Sequence, residues 1–376
     1  MSRAYDLVVI GGGPGGTSAA ITAAREGWRV LLIERGRFPR HKVCGEFVST
    51  ESLALLKWLL GNSQQDLLQR ALTLSESHLL LDGRVVRVPI DPRAASIARY
   101  DLDLALWNAA QHAGVTALQE TTVQAIECET PFRIATSAGD FCGRAVINAT
   151  GRWSNLKLAE NHSIGTRWLG LKGHFHGDSE PSVDLYFFDG GYCGVQPVCG
   201  PDGSTVLNAC ALVRPGVAST LEEVLNRNPL LAARSRSWTA AFAPVSTFPV
   251  ILRQPVPVSG NVLNAGDAAG FVDPFVGDGI ALALRGGNLA ARNLFMFLGE
   301  ESTLKHSLEG YERAYRRSLR PAYRASSLLR RFLEVPHTLR GALLSVCESS
   351  PRLASYLVEA TRSKPLELQE DFHQQS

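Results

Sequence analysis

Residues Asp6–Arg35 read DLVVIGGGPGGTSAAITAAREGWRVLLIER. A short apolar run meets a glycine turn, then an alanine-rich stretch with helical character, then a second apolar run ending in an acid. Gly11, Gly13 and Gly16 occupy the three positions of a GxGxxG turn. The first glycine lets the chain turn off a strand, the second lets backbone approach a pyrophosphate, and the third lets the helix lie close to the strand. The helix N-terminus then offers free N–H groups and a positive dipole end to phosphate. Glu34, followed by Arg35, closes the second strand, where a carboxylate can accept both hydroxyls of a ribose. The turn alone is weak evidence. Strand, turn, helix, strand and acid in this order predict a dinucleotide site.

The chain has 376 residues, more than one ordinary core accommodates, so two or three subdomains are expected. Leu7–Ile10 is too short for the apolar region of a signal peptide, and no stretch reaches the ~18 apolar residues of a membrane span. Seven cysteines without a CxxC pair argue against a disulfide framework or zinc site and favour a reducing, cytoplasmic setting. The net charge of +2 conceals an asymmetry. Between Arg313 and Arg331 lie seven arginines and no acid, which leaves the remainder at about 2 − 7 = −5. A solvated helix face is the plain reading. Peripheral contact with an anionic membrane at the inner face, or with another acidic partner, is the functional one. Nucleic acid is disfavoured as a partner, because the rest of the chain is acidic and no recognition module is visible.

Further along, Leu72–Ile90 reads as strands with a hairpin turn at Asp82-Gly83. A helix is predicted over Asp101–Ala113, capped by Asp101 and ended by Gly114. Leu171–Val213 reads as a sheet, Leu221–Ser235 as helical, and Ser246–Leu252 as a strand. A strand at Asn261–Gly266 leads into AGDAAGFVDPFVGDGIALAL, a second glycine- and aspartate-rich junction of strand and helix. A plain nicotinamide enzyme does not need that junction. A dinucleotide with a flavin end does, since a second helix N-terminus can face the isoalloxazine. Pro274 fixes the chain beside a flat ligand, Gly277 and Gly279 clear side chains from it, and the helix through Ile280 aims its positive end at the pyrimidine edge. The last ~75 residues read as helical.

As a set, GGGPGG with Glu34, FPRHKVCGE, Arg99-Tyr100-Asp101, NATGR and AGDAAGFVDPFVGDG resemble the FAD-dependent oxidoreductases of the p-hydroxybenzoate hydroxylase fold, and within them the geranylgeranyl reductase-like branch. The resemblance covers roughly residues 5–300. It implies an α/β (α+β) fold: a Rossmann-like FAD-binding domain (1–72, 94–160 and 259–300), an inserted antiparallel-sheet substrate domain (73–93 and 161–258) and a C-terminal helical region (301–376). It implies non-covalent FAD held by Gly11, Gly13, Pro14, Gly15, Gly16, Glu34 and Arg35, with Arg99 at the phosphate or ribityl region and Val123 at the adenine. Gly266-Asp267 matches the ribityl-binding pair. Cys44-Gly45 matches a pair beside the isoalloxazine in the reductase branch. Cys44 then shapes the pocket or tunes the ring. Glu46 is either a proton donor or the partner in a loop-stabilising salt bridge, and Arg40 or Lys42 can neutralise FAD phosphate. His174, Tyr186 and Tyr192 are candidate pocket residues. His174 and His176 share a strand face but have no identifiable third ligand, so no metal is assigned.

Two departures qualify the resemblance. Many one-component hydroxylases of this fold carry Asp-Gly where this chain has Thr150-Gly151, which places direct reduction by NAD(P)H in question and admits a reductase or ferredoxin as donor. The WxWxIP signature of tryptophan halogenases is absent. The reading sets first the oxygen-dependent hydroxylation of a lipophilic phenolic or polyketide-like molecule. Saturation of carbon–carbon double bonds in an isoprenoid chain stands close behind. Halogenation and a non-catalytic prenyl or lipid carrier are minor alternatives.

Overall fold

Alternate side chains of the strand Arg3–Ile10 face opposite ways, and each set finds its own cover. Leu7 and Val9 enter a core built with the helices Pro14–Arg25, Arg99–His112 and Gly279–Leu298. Val8 and Ile10 meet Val123, Phe132 and Ile134 of the strands Val123–Glu127 and Phe132–Thr136. Burial on both faces is what a parallel sheet requires, and it explains the unbroken apolar run. The strand pairs in parallel with Val30–Ile33 and Gly139–Asn148, which extend to Thr116–Leu118 on one side and Val262–Asn264 on the other. This computed structural model describes residues 3–152, 156 and 166–333.

The helices Pro14–Arg25 and Gly279–Leu298 cross with almost no space between them. A Cβ at Gly287 would lie 2.0 Å from Gly15 O. Ser18 Oγ donates to Leu284 O at 2.6 Å, and Asn288 Nδ2 to Thr22 Oγ1 at 3.0 Å. The two nucleotide-type junctions, nearly 270 residues apart in sequence, are thereby brought side by side.

Among the described residues the second sheet has nine strands and is largely antiparallel. It runs through Arg167–His176, Thr205–Val213, Gly191–Cys199 and Ser182–Phe188 to Leu72–Leu81 and Arg84–Ser96. The last two form a hairpin about Asp82 and Gly83, whose φ values of 56° and 74° suit a tight hairpin turn. Phe47–Val48 pairs with the end of Arg84–Ser96, so the FPRHKVCGE loop leads from the first sheet into the second.

This is the mixed α/β arrangement expected, but two helices differ. The helix predicted from Asp101 begins at Arg99, its flanking residue is Ala98, and Asp101 lies in its first turn without capping it. The cap comes from afar: Glu46 Oε1 accepts from Arg99 N at 2.7 Å. The stretch Leu221–Ser235 divides into Leu221–Leu225 and Pro229–Ser235, because Asn228 caps the second helix and Pro229 opens it. Two further helices follow, Leu304–Ser318 and Arg320–Leu333, with Pro321 in the first turn of the latter. Residues 161–165 of the expected substrate domain and 334–376 of the expected C-terminal region lie outside the described residues. Among the described residues, no helix is long and apolar enough to cross a membrane.

Candidate active site

A cavity of about 590 Å³ lies where the two sheets meet, and the glycine turn forms one end of it. The three glycines behave differently there. A Cβ on Gly11, where φ is 108°, would lie 2.2 Å from Ala149 O, and one on Gly16 would lie 1.7 Å from Gly11 O. Both are requirements of the backbone fold. On Gly13 the nearest atom to a Cβ would be Lys42 Nζ at 3.9 Å. That position opens on the cavity.

Cations surround this opening. Lys42 lines it, and burial together with neighbouring Arg99 and Arg40 lowers its pKa despite Asp103 and Glu34. Arg99 lines it too, clamped by Asp103 through two bonds of 2.7 and 2.8 Å. Burial opposes the Arg99 charge, but Asp103 outweighs burial and raises its pKa. An ammonium and a guanidinium held beside a bare glycine turn fit a pyrophosphate. Glu34 accepts from Gly12 N at 2.8 Å, Gly36 N at 2.7 Å and Arg40 Nη2 at 2.9 Å. Burial raises its pKa, yet Arg40, the Gly36 N–H and Lys42 outweigh that and hold the group ionised. Arg35 is exposed at the rim, and Val123 is buried in the wall nearby.

The second junction closes the other side. Gly15, Gly266, Asp267, Pro274, Gly277, Gly279 and Ile280 all line the cavity. Gly277 has φ of 80°, and a Cβ there would strike Phe47 at 2.9 Å. The helix Gly279–Leu298 therefore starts at the cavity wall with its positive end toward the space. Arg152 stands 3.8 Å from Asp267 and over the ring of Phe271 at 4.6 Å. Thr150 lines the cavity, but its hydroxyl donates to Asn148 Oδ1 at 2.7 Å, so no carboxylate occupies that position.

Cys44 and Gly45 lie on the cavity wall, and Asn208 Nδ2 donates to both of their carbonyls at 3.2 and 2.8 Å. Glu46 next to them is fully buried with φ of 64°. Its carboxylate takes three bonds: from Arg99 N, from the buried Lys172 Nζ, and from His174 Nε2 at 2.8 Å. Burial pushes its pKa up, but Lys172 and then His174 overcome this and hold it at about 2. In that state Glu46 has no proton to give. It fastens the Cys44–Gly45 loop to the second sheet and to the start of the Arg99 helix.

Of the three aromatic and histidine candidates, only Tyr192 reaches the cavity. His174 is on the cavity side of its strand, but Glu46 and the Phe242 ring, 4.9 Å away, cover it. Tyr186 points through the opposite face into a separate core, where its hydroxyl accepts from Arg234 at 2.9 Å. Period-two alternation separates Tyr186 from Val183, Leu185 and Phe187, which do line the cavity. With Leu79, Leu81, Val88 and Ile90 these form a predominantly apolar wall, to which Ser77 adds one hydroxyl. Tyr192 stands between this wall and the Pro274 turn, with Phe187 and Phe275 each 5.8 Å away by ring centroid. Its hydroxyl donates a long bond to Asp273 Oδ1 at 3.4 Å, and burial raises its pKa well above the usual phenol value.

Comparison with known proteins agrees with this geometry. Residues 6–160 match the family described as FAD dependent oxidoreductase. Menaquinone reductase of Mycobacterium tuberculosis is 27% identical over 321 residues, covering 77% of this chain and 76% of that protein. The alignments span about two thirds to three quarters of the length of such curated relatives. A geranylgeranyl bacteriochlorophyll reductase-like protein from Thermoplasma acidophilum superposes with a TM-score of 0.73 at 19% identity, covering 96% of this chain and 100% of that one. The flavin-dependent brominase Bmp2 superposes with a TM-score of 0.78 at 18% identity, covering 96% and 93%. The chain thus has the FAD-binding oxidoreductase fold. It is an enzyme of the FAD-dependent oxidoreductase class.

Proposed function

We propose that the chain reduces a carbon–carbon double bond in a lipophilic substrate that carries an isoprenoid-like chain. The observation that carries this reading is the division of the cavity. One end offers glycines, Lys42 and Arg99 for a pyrophosphate, the other is a predominantly apolar wall, and a protonated phenol, Tyr192, stands between them. Menaquinone reductase among the relatives supports the same reading. Hydroxylation, placed first from sequence, moves to second place because Tyr192 offers the proton that saturation of a double bond requires.

In this account Gly13, Lys42 and Arg99 would hold the FAD pyrophosphate, Glu34 the ribose, Val123 the adenine and Asp267 the ribityl chain. The N-terminus of Gly279–Leu298, at the cavity wall, would offer its positive end to the flavin. Bound FAD, once reduced, supplies a hydride. The wall from Leu79 to Phe187 positions the apolar substrate and excludes water. Tyr192 holds a proton at its phenolic oxygen and delivers it to the carbon that the hydride does not reach, leaving a saturated bond. Tyr192→Phe should lower kcat about 100-fold with FAD content unchanged, a typical loss for a general acid. Undiminished turnover would remove Tyr192 from this role.

Thr150 bears on the electron source. Without a carboxylate there, reduction by NADH or NADPH should be slow, and a reductase or ferredoxin becomes the proposed donor. Stopped-flow bleaching at saturating nicotinamide measures this. Rates on the order of ten per second, typical of enzyme turnover, would contradict it.

A further inference from the structure

Among the described side chains of the Arg320–Leu333 helix, four are exposed: Pro321, Arg324, Leu328 and Arg331. Their spacing of three, four and three residues places them on one stripe. At its centre Leu328 is 67% exposed, flanked by Arg324 and Arg331. The neighbouring residues point the other way. Leu329 lines the cavity, and Arg330 pairs with Asp273 and lies over the Trp168 ring at 4.2 Å. One helix thus shows cations and a leucine to solvent and contributes to the cavity wall on its inner side.

Only part of the arginine run is available for this surface. Arg313 and Arg316, in the preceding helix, are engaged by Glu309 at 3.8 Å and Glu312 at 2.6 Å. Arg330 is turned inward. The stripe keeps Arg324 and Arg331, with half-buried Arg320 beside them.

We propose that this stripe docks on an anionic membrane surface, with Leu328 entering the interface and the cavity held next to the lipid. An acidic protein would be served by the arginines alone. The exposed leucine between them favours a lipid surface, where an apolar side chain among cations gains on both counts. The proposal concerns attachment and does not depend on which reaction the cavity performs.

Flotation of the full chain with phosphatidylcholine vesicles, with and without phosphatidylserine, tests it. Binding should require phosphatidylserine and be lost at about 1 M salt, where the screening length is about 3 Å. Arg324→Glu/Arg331→Glu should weaken binding at least about tenfold. Leu328→Ser should weaken it severalfold, and retained FAD colour confirms that each variant is folded. No flotation at low salt, or flotation unchanged in the double variant, would overturn the proposal. So would capture of an acidic redox protein by a chain that ignores the vesicles, which would assign the stripe to that partner.

Discussion

Gly13→Val is expected to give a folded but colourless protein. The position opens on the cavity, with Lys42 Nζ the nearest atom to an added Cβ at 3.9 Å. An added Cβ therefore meets no protein atom closer than this flexible side-chain end, and the branches of valine would enter the space proposed for pyrophosphate. Gly16→Val is the contrast. Its Cβ would fall 1.7 Å from Gly11 O, so that variant should fail to fold. Flavin absorbance per protein, with circular dichroism as the folding control, separates the two. Stoichiometric FAD on Gly13→Val would refute the placement of the cofactor at this turn.

Glu46→Ala should cost about 3–5 kcal/mol of stability, because it leaves the buried Lys172 ammonium without its carboxylate and His174 without its hydrogen-bond partner. Urea denaturation followed by tryptophan fluorescence measures the loss. Glu46→Gln combined with Lys172→Met should recover most of it, since removing both charges leaves no buried ion unpaired. A loss under about 1 kcal/mol in the single variant would show that the cluster holds nothing together. The pH dependence has a definite sign. The folded-state pKa of about 2 lies below the ordinary value of 4.5, so this stabilisation is complete above the ordinary value. It is lost as pH falls from there toward 2, and the wild type should lose stability over that window more steeply than Glu46→Ala.

The parts of the site that are local in sequence were legible in it. The glycine turn with Glu34, the Asp82-Gly83 hairpin and the helix that starts after Asp278 are each set by a few adjacent residues whose backbone demands are distinctive. The pocket wall was not legible. Alternation in VDLYFF reveals two faces but not which one meets the cavity, and Tyr186 belongs to the wrong one. The Glu46 cluster was also hidden, because its partners Lys172 and His174 are 126 and 128 residues away and nothing local marks Lys172. The helix at Arg99 shows the same effect: Asp101 is the residue a local rule selects, whereas the carboxylate of Glu46 does the capping. Gly287 carries a fainter signal, a glycine pair inside a helix. Its reason is the contact with Gly15, which only the assembled fold supplies.

The central claim is that the cavity joins an FAD site to a reducible apolar substrate. Its most direct test is to reduce the purified flavoprotein with dithionite under anaerobic conditions and mix it with an isoprenoid quinone. The account predicts that the flavin returns to its oxidised spectrum without oxygen and that mass spectrometry finds a product carrying two additional hydrogens in its side chain. A flavin that stays reduced until oxygen is admitted, with a product one oxygen atom heavier, would contradict it and restore hydroxylation.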